Sequence, residues 1–171
     1  PHELSGGMLQ RTSIALSLLH NPSLIVLDEA TTALDVVTQG QILSEIKKLE
    51  KSIEMTRIMI THDMSVVATV CDKVAVMYAG RLMELGRVKE VIQNPIHPYT
   101  KGLIKSYPML KAPKEDLKVI PGSLPNLSER VEGCIFAPRC ARAEDICIAK
   151  RPEYREVKEG HMAACHFSEV I

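Results

Sequence analysis

Four short groups of residues carry chemistry by type and spacing. Ser5-Gly6-Gly7 stands immediately before a helical pattern, followed by Gln10-Arg11. Two glycines let backbone N–H groups approach an anion closely, and a helix start adds positive potential there. Ser5 is placed to cap that helix and to offer its hydroxyl to the same anion. Asp28-Glu29 closes the apolar run Leu24 to Leu27. Two successive carboxylates at a strand end suit hydrolysis of a magnesium-bound triphosphate, one ordering the metal's water shell and the other polarising a water. Thr32-Ala33-Leu34-Asp35 follows at once, and His62 ends the next apolar run. Last come Cys134, Cys140, Cys147 and Cys165, four of the five cysteines, gathered in the final 38 residues. Taken singly, each group also has a bland reading: a turn with its cap, two solvated acids, a surface histidine, a set of thiols.

The elements that must position them alternate. A helix follows Ser5 and ends at Asn21-Pro22. Leu24 to Leu27 is short and wholly apolar, the mark of a buried parallel strand. Ile42, Ile46, Leu49 and Ile53 recur at helical spacing, and Arg57 to Thr61 is a second apolar strand. A short helix over Met64 to Val70 precedes a hairpin, Lys73 to Tyr78 and Arg81 to Leu85, around Ala79-Gly80. Strand–helix alternation with polar residues at strand ends predicts an α/β fold built on a parallel sheet with flanking helices. Beyond Gly86 the texture changes. Two helical patterns, Arg87 to Gln93 and Tyr99 to Ser106, flank Asn94-Pro95-Ile96-His97-Pro98, and Tyr107 to Asn126 reads as a linker rich in Pro, Lys and Gly. Three parts are expected: 1–86, 87–126, and a small irregular Cys-rich region over 127–171.

The 21 basic and 21 acidic residues balance, which argues against a diffuse affinity for nucleic acid or anionic lipid. Four Tyr, two Phe and no Trp are few for a base-stacking nucleic-acid binder. There is no basic start with an apolar run, and Thr12 to Leu27 is broken by His20, Asn21 and Pro22, so neither a leader nor a spanning helix is expected. The opening Pro1-His2-Glu3, without Met, is read as that of a fragment or a processed product.

In order and spacing, Leu4-Ser5-Gly6-Gly7, Leu24-Ile25-Val26-Leu27-Asp28-Glu29, Ala33-Leu34-Asp35 and His62 resemble the ATP-binding cassette (ABC) family of P-loop ATPases. The resemblance implies roles by position. Ser5, Gly6 and Gly7 would be the signature on the γ-phosphate of ATP, Asp28 would serve Mg2+, and Glu29 would be the general base. Asp35 would lie in the loop linking two sites, and His62 would be the switch histidine. Met8 stands where the commonest signature has Gln. None of the nine glycines is followed by Lys, so the Gly-Lys-Ser/Thr phosphate loop is expected upstream, and the chain alone is expected to be inactive. The family pairs two ATPase modules head to tail.

Asn94-Pro95-Ile96-His97-Pro98-Tyr99-Thr100, Pro121-Gly122-Ser123-Leu124-Pro125 and Gly133-Cys134-Ile135-Phe136-Ala137-Pro138-Arg139-Cys140 resemble the region after the motor in peptide importers. That narrows the expectation to an importer of oligopeptides or dipeptides, peripheral on the cytoplasmic face of the membrane. Its partners would be a second ATPase subunit, integral membrane permeases and, indirectly, an extracytoplasmic substrate-binding protein, with no nucleic acid. By spacing alone the four tail cysteines match neither a zinc knuckle nor a ferredoxin run. The resemblance implies a [4Fe–4S] cluster on Cys134, Cys140, Cys147 and Cys165, with zinc, recruiting His161 or His166, as the alternative. Cys71 reads as a buried small hydrophobe. Two rivals remain open: a soluble cassette ATPase acting on nucleic acid or ribosomes, and a metal-binding regulatory fragment.

Overall fold

A computed structural model of the chain describes residues 3–31, 34–106 and 120–168. It divides into two compact units, residues 1–70 and 71–171.

The first unit runs α1 (Gly6–Leu18), β1 (Leu24–Asp28), α2 (Val36–Ile53), β2 (Thr56–Ile60) and α3 (Met64–Val70). Ser5 caps α1, its Oγ accepting from the Met8 N–H at 3.3 Å. Asp35 caps α2, and that helix closes on Glu54 in the left-handed region. β1 and β2 pair in parallel, Leu24 against Thr56 through Asp28 against Ile60. The core joins Ile14 of α1 and Ile42 and Ile46 of α2 to Ile25 and Leu27 of β1, with Met55 just before β2. Arg57 ties β2 to both neighbouring helices. Its side chain is 5% exposed, pairs with Glu50 at 3.4 Å and donates to the Val70 carbonyl at 2.6 Å.

β1 was expected to be wholly buried. Only Ile25 and Leu27 are, whereas Leu24, Val26, Ile58 and Ile60 stand about half exposed. The pleat sends alternate residues to opposite faces, and among the described residues one face of this unit's parallel pair has no covering layer. Parallel sheets are ordinarily covered on both sides.

The second unit contains β3 (Lys73–Tyr78), β4 (Arg81–Arg87), α4 (Val88–Gln93), α5 (Pro98–Ser106), a 3-10 turn at Ala137–Arg139, α6 (Asp145–Ala149), β5 (Arg155–Lys158) and β6 (His161–Ala163). Its sheet is antiparallel in the order β3-β4-β6-β5. Among the described residues the hairpin pairs with the tail. The tail, expected to be irregular, is not, because β6 pairs with β4 (Glu84 with Ala163, Leu85 with Met162). The compact division falls at Val70/Cys71, since hairpin and tail share hydrogen bonds. The expected linker also changes character. Residues 107–119 lie outside the described residues, but Ile120 packs on the core of Tyr78, Met83, Ile135 and Phe136. Arg139 holds the carbonyls of Ile120 and Pro121 at 3.0 and 2.7 Å. Cys71, expected to be buried, is half-buried.

Behind the sheet sits a polar core. Glu84 is fully buried, and its carboxylate accepts from the Ile96 and His97 N–H groups at 2.9 and 2.8 Å and from His161 Nε2 at 2.7 Å. His97 accepts at Nδ1 from the Tyr99 N–H at 3.1 Å, so its proton sits on Nε2. Burial pushes the His97 imidazole down to about 4, against the pull of the Glu84 carboxylate. It is neutral at pH 7.

Candidate functional site

Parallel pairing brings the ends of β1 and β2 to one edge. The ladder continues past the last paired residues, with the Glu29 N–H donating to the Ile60 carbonyl at 3.0 Å. Glu29 follows β1 directly and His62 stands two residues beyond the end of β2, and their side chains meet, His62 Nδ1 to Glu29 Oε1, at 3.0 Å. His62 is 73% exposed and Glu29 43%. The hydrogen bond to Glu29, and then that carboxylate's charge, hold the His62 imidazole above its ordinary 6.5. An exposed pair of this kind is worth little to the fold, so its interest lies in what it faces. Glu29 has φ +48, but so, nearly, do Asn21, Glu54 and Ala79. Backbone conformation alone does not mark it; the contact does. Asp28 is exposed at the last position of β1.

Ser5 lies at the mouth of α1 as expected. Its oxygen accepts from Met8 N–H, which leaves the hydroxyl proton to be donated elsewhere. Gly6 opens the helix with no neighbour that a Cβ would meet. At Gly7 a Cβ would come within 2.9 Å of Thr38 Cγ2, so the lack of a side chain lets α1 approach the start of α2.

Asp35 is committed locally. Oδ1 accepts from the Val37 and Thr38 N–H groups at 3.1 and 2.9 Å, and Oδ2 from the Thr38 hydroxyl at 2.7 Å. Those bonds, led by the Thr38 backbone, hold its carboxyl below the usual range. In this arrangement it is a helix cap. Thr32 and Ala33 of the same loop lie outside the described residues.

The four tail cysteines, dispersed in sequence, line a single small cavity together with His97 and His166. Cys134 precedes the 3-10 turn and Cys140 ends it; Cys147 is on α6, and Cys165 follows β6. The Cys134 N–H donates to the Cys147 carbonyl at 2.7 Å. A Cβ on Gly133 would strike the Cys147 and Ile148 carbonyls, so only glycine allows this approach. Burial pushes the thiols of Cys134, Cys140 and Cys165 up, and the neighbouring cysteines add to it. Soft donors on a common cavity fit a soft metal in kind. Their spacing is not that of a closed site: among the described residues no three His, Cys, Asp or Glu are grouped so as to hold a metal ion. His161 is excluded as a fifth donor, because it is engaged with Glu84. His166 Nε2 is bonded to the Lys150 carbonyl at 2.8 Å.

Glu84, His97 and His161 were not found as a group from sequence. An acid inside the apolar strand Leu82-Met83-Glu84-Leu85 was the available signal.

Comparison with known proteins agrees with both halves. The family described as ABC transporter matches residues 1–32, and that described as oligopeptide/dipeptide transporter, C-terminal region, matches residues 83–147. The oligopeptide transport ATP-binding protein OppD of Escherichia coli is 48% identical over 96% of this chain and 49% of its own length. The dipeptide transport ATP-binding protein DppD of Caldanaerobacter subterraneus is 44% identical over 99% of this chain and 52% of its own. The chain thus spans about half the length of the curated relatives it matches. Among solved structures, an ATP-binding cassette of an ABC transporter in its ADP conformation superposes with a TM-score of 0.51, at 27% identity, over 58% of this chain and 40% of that one. The chain is thus similar at its start to the ABC transporter family, over residues 83–147 to the oligopeptide/dipeptide transporter C-terminal region, and over nearly all its length to peptide-transport ATP-binding proteins.

Proposed function

We propose that the complete subunit hydrolyses ATP and couples that reaction to the import of oligopeptides or dipeptides. The observation that carries this reading is the 3.0 Å contact of Glu29 with His62 at the shared edge of β1 and β2. Relatives named for peptide transport ATP-binding support it. Glu29 is the general base that takes a proton from the attacking water. His62, oriented by Glu29, contacts the γ-phosphate. Ser5 and the N–H groups of Gly6 and Gly7 meet the γ-phosphate held by the opposite module, and Asp35 lies where the two sites communicate. Mg2+, when bound, neutralises charge on the triphosphate, and Asp28 holds its water shell. Residues 1–86 form part of the nucleotide-binding domain, 87–126 connect it, and 127–171 form the Cys-rich region.

The subunit works on the cytoplasmic face of the membrane, as one of two ATPase modules docked on permeases, with a substrate-binding protein acting on the far side. Among the described residues no helix is long and apolar enough to cross a membrane. The phosphate loop belongs to a preceding segment, and the half-exposed face of β1 and β2 is a suitable seat for it. Steady-state ATPase assays test this. The complete subunit with its permeases turns over, and the 171-residue chain alone does not. Hydrolysis by the isolated chain above the buffer rate would refute the division of labour.

The thiol cavity is proposed to hold a [4Fe–4S] cluster on Cys134, Cys140, Cys147 and Cys165, with zinc as the alternative. The support is convergence of the four thiols on one cavity. Four thiolate bonds would staple a segment with little core of its own. Anaerobically purified protein should be brown, with iron and sulfide in equal amounts, and Cys147→Ser should lose both. Zinc without iron moves the assignment to the alternative. Neither metal refutes both.

A further inference from the structure

The cavity bounded by the four tail cysteines carries a histidine whose bonding is incomplete. His97 stands in the turn before α5, 1% exposed, with its ring 5.7 Å from that of Phe136. The Tyr99 N–H at 3.1 Å occupies Nδ1, which places the ring proton on Nε2, across the imidazole. Among the described residues nothing accepts from that Nε2–H, yet the atom is not closed off from water. With so little of the residue exposed, the opening beside Nε2 is the cavity that the ring lines. An enclosed N–H without an acceptor is costly, so the arrangement calls for an acceptor inside that cavity.

The sulfurs around it already draw on backbone donors. The N–H groups of Phe136, Arg142 and Phe167 donate to the sulfurs of Cys134, Cys140 and Cys165, in each case the cysteine two residues earlier. Bonds of that kind favour negative charge on sulfur. The second histidine on the cavity is arranged the other way. His166 Nε2 gives its proton to the Lys150 carbonyl at 2.8 Å, which leaves Nδ1 of the neutral ring an acceptor. Of the two rings, His97 is the donor.

We propose that His97 Nε2–H donates to a sulfur of the iron–sulfur group held in this cavity and thereby raises its reduction potential. The inference rests on the cluster reading above and adds to it a residue outside the ligand set. A donor to sulfur stabilises the reduced, more negative state over the oxidised one, a lever general to such centres.

Redox titration of the anaerobically purified complete subunit, read by the electron paramagnetic resonance of the reduced cluster, tests it. His97→Asn keeps an oxygen where Nδ1 meets the Tyr99 N–H but has nothing in place of Nε2. Its equilibrium is expected to move roughly tenfold towards the oxidised form, a midpoint about 59 mV lower for one electron. His97→Gln, whose amide nitrogen reaches the Nε2 position, should bring the midpoint most of the way back, and His166→Asn should leave it in place. Iron and sulfide contents equal to those of the wild type exclude simple loss of the cluster. An unshifted midpoint in iron-loaded His97→Asn overturns the inference and leaves the cluster reading standing. Wild-type protein without iron removes that reading and the inference with it. Should His97→Asn fail to hold iron, pulsed electron paramagnetic resonance of the reduced protein with isotopically labelled histidine rings decides. A ring-nitrogen coupling that persists in His166→Asn supports the donor, and its absence overturns it.

Discussion

Glu29→Gln in the complete subunit is expected to lower kcat by about 10^2- to 10^4-fold, the usual worth of a positioned general base, while ATP still binds. The neutral amide keeps the length and shape of the side chain but cannot take a proton from water. Loss should therefore fall on turnover, and the closed, ATP-loaded pair of modules should accumulate. A second measurement on the same substitution needs no catalysis. His62 is held above 6.5 chiefly by its hydrogen bond to Glu29, then by the carboxylate's charge. A raised imidazole pKa means that the contact stabilises fully below the ordinary value and is lost as pH rises through the raised one. In Glu29→Gln the His62 ring resonances, followed by NMR through a pH titration, should move back towards the ordinary midpoint. Unchanged turnover would remove Glu29 from the role of base. An unchanged His62 midpoint would mean that the 3.0 Å contact is not kept in solution.

That pair shows how far the sequence could be read and where reading stopped. Each member was recognisable as a polar residue after an apolar run, and Ser5 as a cap before a glycine pair. Strand type and order implied that both runs end on one sheet edge. That Glu29 and His62 touch needs the register, Asp28 against Ile60, which local pattern does not encode. The same limit hid the second unit. β6 is three residues long and pairs with β4 across more than seventy positions. Its partner is set by tertiary packing, so His161 read as a metal candidate when it is a partner for Glu84. Arg139, lying 18 residues beyond Pro121, likewise turned the end of an apparent linker into part of the core. Apolar composition misled in the opposite sense at Leu24 and Val26. Both were assigned to the interior, and both are half exposed, as are Ile58 and Ile60 of β2, because burial depends on a covering layer and not on side-chain type alone.

The buried acid of the second unit makes a large stability demand. Glu84 sits at 0% exposure with three donors on its two oxygens: two backbone N–H groups from the turn before α5 and the His161 ring from β6. One side chain thus joins the hairpin, the Pro-rich turn and the tail. Removing one partner of a buried pair leaves the other desolvated and uncompensated, at about 3–5 kcal/mol. Glu84→Ala should lose stability of that order in urea unfolding followed by circular dichroism, whereas Lys89→Ala on the exposed side of α4 should stay within about 0.5 kcal/mol. His161→Ala should also destabilise strongly, since it leaves Glu84 with backbone donors alone. The double substitution should cost clearly less than the sum of the two, because both report the same contact. A loss below about 1 kcal/mol in Glu84→Ala, or strict additivity with His161→Ala, would mean that the hairpin and tail are held by apolar packing and not by this carboxylate.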